Sequence, residues 1–257
     1  MIKICLLKKS RKNKTVFKIL FLRLIMNNKY KHVFFDLDHT LWDFESNSHE
    51  TLLDLFEKYS LLNESVNDKH HFINRYYYHN EIYWEQFRKG ELSREDLRLI
   101  RFRTTLNEFN IDNVELVQQL AAAYLEILPT KTNLFSDTID ILDYLVKNYS
   151  MHIITNGFEE IQFKKIANTG IGKYFKYIIT SEAAGSQKPN PAIFRFAMQL
   201  ANAEIKNSLF IGDSIEADIN GAKAVGMDYV FYNPKKTPHN ESIMNEITAL
   251  TELKKIL

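Results

Sequence analysis

Residues 31–43 read Lys-His-Val-Phe-Phe-Asp-Leu-Asp-His-Thr-Leu-Trp-Asp. His32 to Phe35 is a short apolar run of the kind that forms a buried strand. Asp36 and Asp38 stand where that strand should end. In an open α/β sheet, ligands bind just beyond the carboxyl ends of the strands. Two acids two residues apart at such a place are poorly explained by packing. Their charges repel unless a cation lies between them. A hard divalent ion with oxygen ligands, such as Mg²⁺, suits the pair. A lone Asp-x-Asp is more often a solvated acidic turn, so its weight depends on what the other strands carry.

From Ser46 to about Pro129 the apolar pattern is helical throughout. Leu52, Leu53, Leu55 and Phe56 recur at helical spacing, as do Leu97, Ile100, Arg101, Thr104 and Leu106. So do Val114, Val117, Leu120, Tyr124 and Ile127. This block reads as an all-helical bundle inserted after the first strand. It holds an aromatic-rich stretch, Tyr76 to Arg88, with Tyr83 and Trp84 at its centre. At helical spacing such aromatics form core; the other reading is one wall of a substrate pocket. His70, His71 and His79 lack a metal-ligand spacing with acids and read as surface or partly buried residues.

From Ser136 the pattern alternates. A helix starts at Ser136-Asp137, with Ile139, Leu142, Leu145 and Val146 as its apolar face. Strands are expected at Met151–Thr155, Tyr177–Thr180, Ser208–Ile211 and Tyr229–Tyr232. Helices are expected at Gly157–Asn168, Pro191–Ala201 and Ile215–Val225. Strand-helix alternation implies a doubly wound parallel sheet with helices on both faces. Gly212 alone before Asp213 makes no dinucleotide fingerprint.

Three of these strands also end in polar residues. Thr155-Asn156-Gly157 offers a hydroxyl and backbone N–H groups at a helix start, where anions bind. Lys188 lies in Ser-Gln-Lys-Pro-Asn-Pro, residues 186–191. Pro191 is placed to open a helix there. The ammonium held there could neutralise a phosphate and a carboxylate together. Asp213 falls at a strand end, and Asp218 in the first turns of the next helix; Glu216 reads as a solvated helix residue. Carboxylates, a hydroxyl and one lysine on a single sheet edge suit a phosphoryl group and Mg²⁺. One carboxylate attacks phosphorus, and the other protonates the leaving oxygen and then activates water.

Taken in order, Asp-x-Asp, Thr-Asn, Lys and Gly-Asp-x-x-x-x-Asp, with a helical insert after the first, resemble the haloacid dehalogenase (HAD) superfamily of phosphohydrolases. The resemblance spans residues 30–232. It implies a Rossmann-like core at 27–45 and 131–257 and a helical cap at 46–130. It implies Asp36 as nucleophile and Asp38 as general acid/base. Mg²⁺ would be held by Asp36, the Asp38 backbone carbonyl and Asp213, with Asp218 acting on metal-bound water or on Lys188. Thr155 and the Asn156 backbone would hold the phosphate, and Lys188 would bridge phosphate and nucleophile. His39 departs from the glycine that many family phosphatases carry there. Finer likeness in 35–43, Thr-Asn-Gly-Phe, Ser-Glu-Ala-Ala-Gly-Ser-Gln-Lys-Pro and Gly-Asp-Ser-Ile-Glu-Ala-Asp-Ile resembles the bacterial branch of pyrimidine 5′-nucleotidases. This implies a nucleoside monophosphate as substrate, with Trp84 and Tyr83 against the nucleoside.

The 257 residues, 45 % hydrophobic and 25 % charged, suit a globular chain with a core domain and a smaller one. The charge is uneven. Residues 1–26 carry eight basic residues and no acid; the remainder carries 25 basic and 32 acidic residues. An acidic body argues against nucleic-acid binding. The segment from Val16 to Met26, interrupted by Lys18 and Arg23, is too short and charged to span a bilayer. Residues 1–26 read as a disordered or mis-assigned leader, with Met26 as the expected start. Cys5 is the single cysteine, so no disulfide forms within one chain, which fits a cytoplasmic protein. A monomer or homodimer acting on a small phosphate ester is expected, with no membrane partner.

Competing classes differ in testable features. A dehalogenase attacking carbon lacks the second acid of Asp-x-Asp. A phosphomutase shares all four motifs, and its product separates it. A phospho-receiver module would carry no large helical insert and would be about half this length. A catalytically dead binding module would have lost part of the reactive set.

Overall fold

The structure, a computed structural model, describes residues 29–61 and 66–257. The basic leader and Cys5 lie outside the described residues. Six parallel strands form one sheet: β1 (His32–Phe35), β2 (Ser150–Thr155), β3 (Phe175–Thr180), β4 (Ser208–Gly212), β5 (Asp228–Tyr232) and β6 (Glu246–Ile247). Their order is β3-β2-β1-β4-β5-β6. The chain winds outward from β1 in one direction and then in the other. β1 therefore lies at the point where the strand order reverses, and there a doubly wound sheet opens a crevice.

Val33, Phe34 and Phe35 are fully buried. Successive strand side chains point to opposite faces. Val33 and Phe35 join one apolar cluster with Ile153 and Ile211, while Phe34 joins a second with Phe194 and Phe210. A strand covered on both faces needs the continuous apolar run seen in the sequence. Phe35 pairs in register with both Ile153 and Ile211. The residues after β1, β2 and β4 thus emerge side by side.

Four helices follow β1: α1 (Phe44–Lys58), α2 (Lys69–Arg88), α3 (Arg94–Glu108) and α4 (Val114–Ile127). Each opens on a side-chain cap, from Asp43, Asp68, Ser93 and Asn113 in turn. Such caps satisfy N–H groups that have no partner inside the helix. Their apolar stripes meet around Phe72, Tyr76, Phe102 and Tyr124. Val114 is the exception to the expected stripe: it stands in the first turn of α4 and is exposed.

The later helices are α5 (Thr138–Leu145), α6 (Glu159–Thr169), the single turn α7 (Ser181–Ala184), α8 (Pro191–Ala201) and α9 (Asn220–Val225). α5 starts two residues later than expected and buries Thr138, Ile141, Leu142 and Leu145. Ile139 and Val146 face away and are 42 % and 44 % exposed, because a 3.6-residue turn carries them off that stripe. The expected helix from Ile215 opens as a wider π turn, Ile215–Ile219, before α9. The two-residue β6 was beyond the reach of sequence pattern. Among the described residues no helix is long and apolar enough to cross a membrane.

Candidate active site

Asp36 follows β1 directly, and its N–H donates to the Ile211 carbonyl at 2.9 Å. The chain then turns tightly. Leu41 and Trp42 N–H groups both donate to the Leu37 carbonyl, and His39 N–H donates to Trp42 O. His39 takes φ +62°, the left-handed conformation that glycine adopts without strain. The departure at this position therefore keeps the glycine-like backbone. The turn buries Thr40, whose Oγ1 donates to Asp213 Oδ1 at 3.0 Å.

Lys188 is 2 % exposed, and its ammonium bridges two carboxylates. One is Asp36, in a short hydrogen bond; the other is Asp218 at 2.7 Å. Burying an ammonium costs several kcal/mol unless such partners replace water. The Lys188 backbone is clamped as well. Asn156 Oδ1 accepts from Lys188 N–H at 2.7 Å, and Asn156 Nδ2 donates to Lys188 O at 2.9 Å. The Asn156 side chain is thus committed to Lys188, leaving its backbone N–H for a ligand. Thr155 Oγ1 accepts from Gly157 N–H and from Gln162 Nε2, so its own proton is free to be donated.

Asp218 is brought to this edge by the π turn, where Oδ2 accepts from Ser214 N–H at 3.0 Å. Gly212 permits that approach, since a Cβ on it would collide with the Asp218 carboxylate. Glu216 is exposed, as expected.

One oxygen from each of Asp36, Asp213 and Asp218 fits within a span of 4.8 Å. Three carboxylates against one ammonium leave two negative charges. Burial first, then Asp218 and Asp213, push Asp36 upward against the opposing pull of Lys188. Burial and then Asp218 raise Asp213 to about 7. Lys188 is raised by Asp218 and Asp36, which overcome its desolvation. A hard divalent cation matches this donor set in charge and in ligand type. The residues present therefore fit Mg²⁺.

Asp38 has two partners that sequence reading missed. Lys165 Nζ donates to its Oδ1 at 2.6 Å, and Gln162 Nε2 to its Oδ2 at 2.8 Å. Gln162 and Lys165 are one turn apart on α6 and therefore share a face. A lysine and an amide between Ile161 and Ile166 were the available signal.

A cavity of about 860 Å³ joins these residues to the helical insert. Asp36, Asp38, Thr155, Asn156, Lys188, Asp213 and Asp218 line it with Asn80, Trp84, Arg101 and Tyr124. Trp84 lies with its ring 5.5 Å from that of Phe158. Tyr83 does not line the cavity: its hydroxyl pairs with Thr104 Oγ1 at 2.8 Å, and its ring packs toward Leu97, Phe158 and Ile161. Trp84 packs against the same cluster, and of the two only Trp84 reaches the cavity. His79 is buried, against Thr105 and Glu108, while His70 and His71 are exposed.

Residues 33–232 match the model of the haloacid dehalogenase-like hydrolases. The chain is 30 % identical to the HAD-hydrolase YfnB of Bacillus subtilis, over 89 % of this chain and 96 % of that protein. A crystal structure of YfnB bound to magnesium superposes with a TM-score of 0.80 at 28 % identity, covering 89 % of this chain and 99 % of that one. Identity to the pyrimidine 5′-nucleotidase PynA of Streptococcus pneumoniae is 31 %, over 80 % of this chain and 84 % of PynA. For the pyrimidine 5′-nucleotidase YjjG of Escherichia coli it is 28 %, over 89 % and 98 %. Relatives at lower identity include a glyceraldehyde 3-phosphate phosphatase.

Proposed function

Because this chain belongs to the haloacid dehalogenase-like hydrolases, we propose that it hydrolyses phosphomonoesters through an aspartyl phosphate on Asp36, with pyrimidine nucleoside 5′-monophosphates as substrates. The observation that carries this reading is the Lys188 ammonium buried between Asp36 and Asp218, at an edge shared with Thr155, Asp38 and Asp213. That arrangement supplies a carboxylate nucleophile, a second carboxyl group and donors for phosphate oxygens in one cavity.

In the first step an Asp36 carboxylate oxygen attacks phosphorus and the ester P–O bond breaks. Asp38 gives its proton to the departing oxygen. In the second step Asp38 takes a proton from water as that water attacks the phosphorus of the aspartyl phosphate. Inorganic phosphate leaves and Asp36 is restored. Thr155 Oγ1 and the Asn156 N–H donate to the phosphoryl oxygens, and Lys188 spans phosphate and nucleophile. Asp36, the Asp38 carbonyl and Asp213 would hold Mg²⁺, with Asp218 beside them orienting Lys188. Bound there, the ion supplies charge neutralisation for the phosphoryl oxygens.

Residues 46–130 act as a cap over the core of 27–45 and 131–257. Phosphoryl contacts alone cannot choose among esters, so the choice falls to residues over the leaving group. Trp84 offers an apolar face to a base, and His39 and Phe44 line the same cavity. Identity to PynA and YjjG favours a pyrimidine nucleotide. A sugar phosphate is the second reading, favoured by the glyceraldehyde 3-phosphate phosphatase among the relatives.

The test is phosphate release from a panel of nucleotides and sugar phosphates, with and without Mg²⁺. Mg²⁺-dependent release, highest for pyrimidine monophosphates and abolished by Asp36→Asn, is expected. A preference for sugar phosphates would overturn the nucleotidase reading alone. Full activity in Asp36→Asn would overturn the chemistry.

A further inference from the structure

The cavity holds a cation that this chemistry does not use. Arg101 on α3 lines the cavity and is only 3 % exposed. Its Nε donates to the Leu97 carbonyl at 2.9 Å, and its Nη1 to Asn80 Oδ1 at 2.7 Å. The guanidinium carbon stands 5.9 Å from the Tyr76 ring centroid and 5.6 Å from that of Tyr124. Among the described residues no carboxylate pairs with it, whereas Arg75, Arg94 and Arg98 each pair with a glutamate.

A buried guanidinium with no counter-charge beside it is costly. One amide, one carbonyl and two ring faces offset part of that cost and supply no negative charge. Asn80 holds the fork in a defined orientation, and Asn80 lines the same cavity as Asp36 and Lys188. Arginine has only donors, so its complement on a ligand is an acceptor. The phosphate already has Lys188, Thr155 and the metal site. The acceptor therefore belongs to the leaving group. Cytosine and uracil both carry carbonyl oxygens in the ring plane, and a planar guanidinium matches such an edge.

We propose that Arg101, oriented by Asn80, is a specificity-determining residue that donates to a carbonyl oxygen of the pyrimidine base in a bound nucleoside 5′-monophosphate. This rests on the nucleotidase reading above. Asn80 is the positioning residue in this pair.

The experiment compares kcat/KM for uridine 5′-monophosphate with that for ribose 5-phosphate, which has the same sugar phosphate and no base. Wild-type enzyme should prefer the nucleotide. Arg101→Met should lower the nucleotide value by about 10- to 100-fold, the range of one lost directional contact, and leave ribose 5-phosphate unchanged. Asn80→Ala should shift the same ratio in the same direction by a smaller factor. That variant leaves the cation in place and carries the test if Arg101→Met does not fold. A wild-type preference retained in both variants would overturn the role of Arg101 and leave the nucleotidase reading standing. Equal losses on the two substrates would also overturn it, marking Arg101 as a support for the bundle. A wild-type enzyme indifferent to the base would sink the nucleotidase reading, and the base contact with it.

Discussion

Lys165 Nζ lies 2.6 Å from Asp38 Oδ1, and Gln162 Nε2 lies 2.8 Å from Oδ2. Both carboxylate oxygens of Asp38 are therefore tied to one face of α6. Lys165 is itself 3 % exposed and stands 4.1 Å from the centroid of the Trp42 ring. In the proposed mechanism Asp38 transfers the proton, and a carboxyl group held so firmly has a defined direction. Lys165→Met should lower kcat by about 10- to 100-fold, below the ~10²–10⁴ that the acid-base group itself supplies. KM for the phosphate ester should change little. Lys165→Arg should recover part of the loss, and steady-state kinetics on the three proteins checks both expectations.

Gly212 is predicted to tolerate no side chain. A Cβ there meets the Asp218 carboxylate, which is 1 % exposed and pairs with Lys188. Gly212→Ala should cost about 1–3 kcal/mol, the usual cost of overpacking, and nearly abolish turnover. Thermal melts and phosphate release measure the two effects. A variant with the wild-type melting point and rate would show that Asp218 can move aside at no cost.

Mg²⁺ should stabilise the folded protein apart from any role in turnover. Asp36, Asp213 and Asp218 crowd their oxygens within 4.8 Å, and a bound cation relieves that repulsion. Adding millimolar Mg²⁺ to chelator-treated protein should raise Tm by mass action. Asp213→Asn removes one of the three carboxylates, so it should raise Tm of the metal-free protein and blunt the response to Mg²⁺. Scanning calorimetry without substrate reads both changes. An identical Mg²⁺ response in the variant would place the ion elsewhere.

His152 should make the fold acid-sensitive. Its ring is buried in β2 between Phe34 and Tyr177, with centroids 4.7 Å and 5.6 Å away. Its Nε2 lies 3.2 Å from His32 Nδ1. Burial first, then His32 and Lys176, lower its pKa to about 4. The folded value lies below the ordinary 6.5, so the neutral ring is favoured on folding. That contribution is complete above pH 6.5 and is lost as pH falls toward 4. It amounts to about 2 kcal/mol after allowance for partial solvent screening. His152→Phe should flatten this part of the stability curve, as measured by urea unfolding at pH 4, 5, 6 and 7. An unchanged slope would assign the acid sensitivity to other groups.

Trp84 lines the cavity while Tyr83 is turned into the helical layer. Trp84→Ala should therefore lower kcat/KM for a nucleotide more than for p-nitrophenyl phosphate. Tyr83→Ala should lower Tm and affect both substrates alike. Parallel kinetics on the two variants separates a pocket wall from core.

The doubly wound sheet, and the convergence of polar residues on one edge of it, were legible in the chain itself. Both depend on local patterns: a continuous apolar run for a strand buried on two faces, and polar residues where each strand stops. Parallel strands in register then bring Asp36, Thr155 and Asp213 together, because each lies at or next to a strand end, while Lys188, beyond α7, is held there by the Asn156 side chain. Three kinds of information needed the tertiary structure. The first is which face of a helix meets which neighbour: Ile139 and Val146 looked like core and are exposed, and Tyr83 and Trp84 parted company. The second is long-range pairing by side chains on helices. Lys165 reaches Asp38 across 127 positions and Asn80 reaches Arg101 across 21, and no local period marks either contact. The third is closure of the helical insert over the sheet edge, which turns a row of strand ends into a cavity with a buried guanidinium in its lining. Hydrophobic periodicity reports how a segment meets the core, and it carries no term for which distant polar groups end up facing each other. That is decided by packing, where burial forces each charge to find a partner or a ligand.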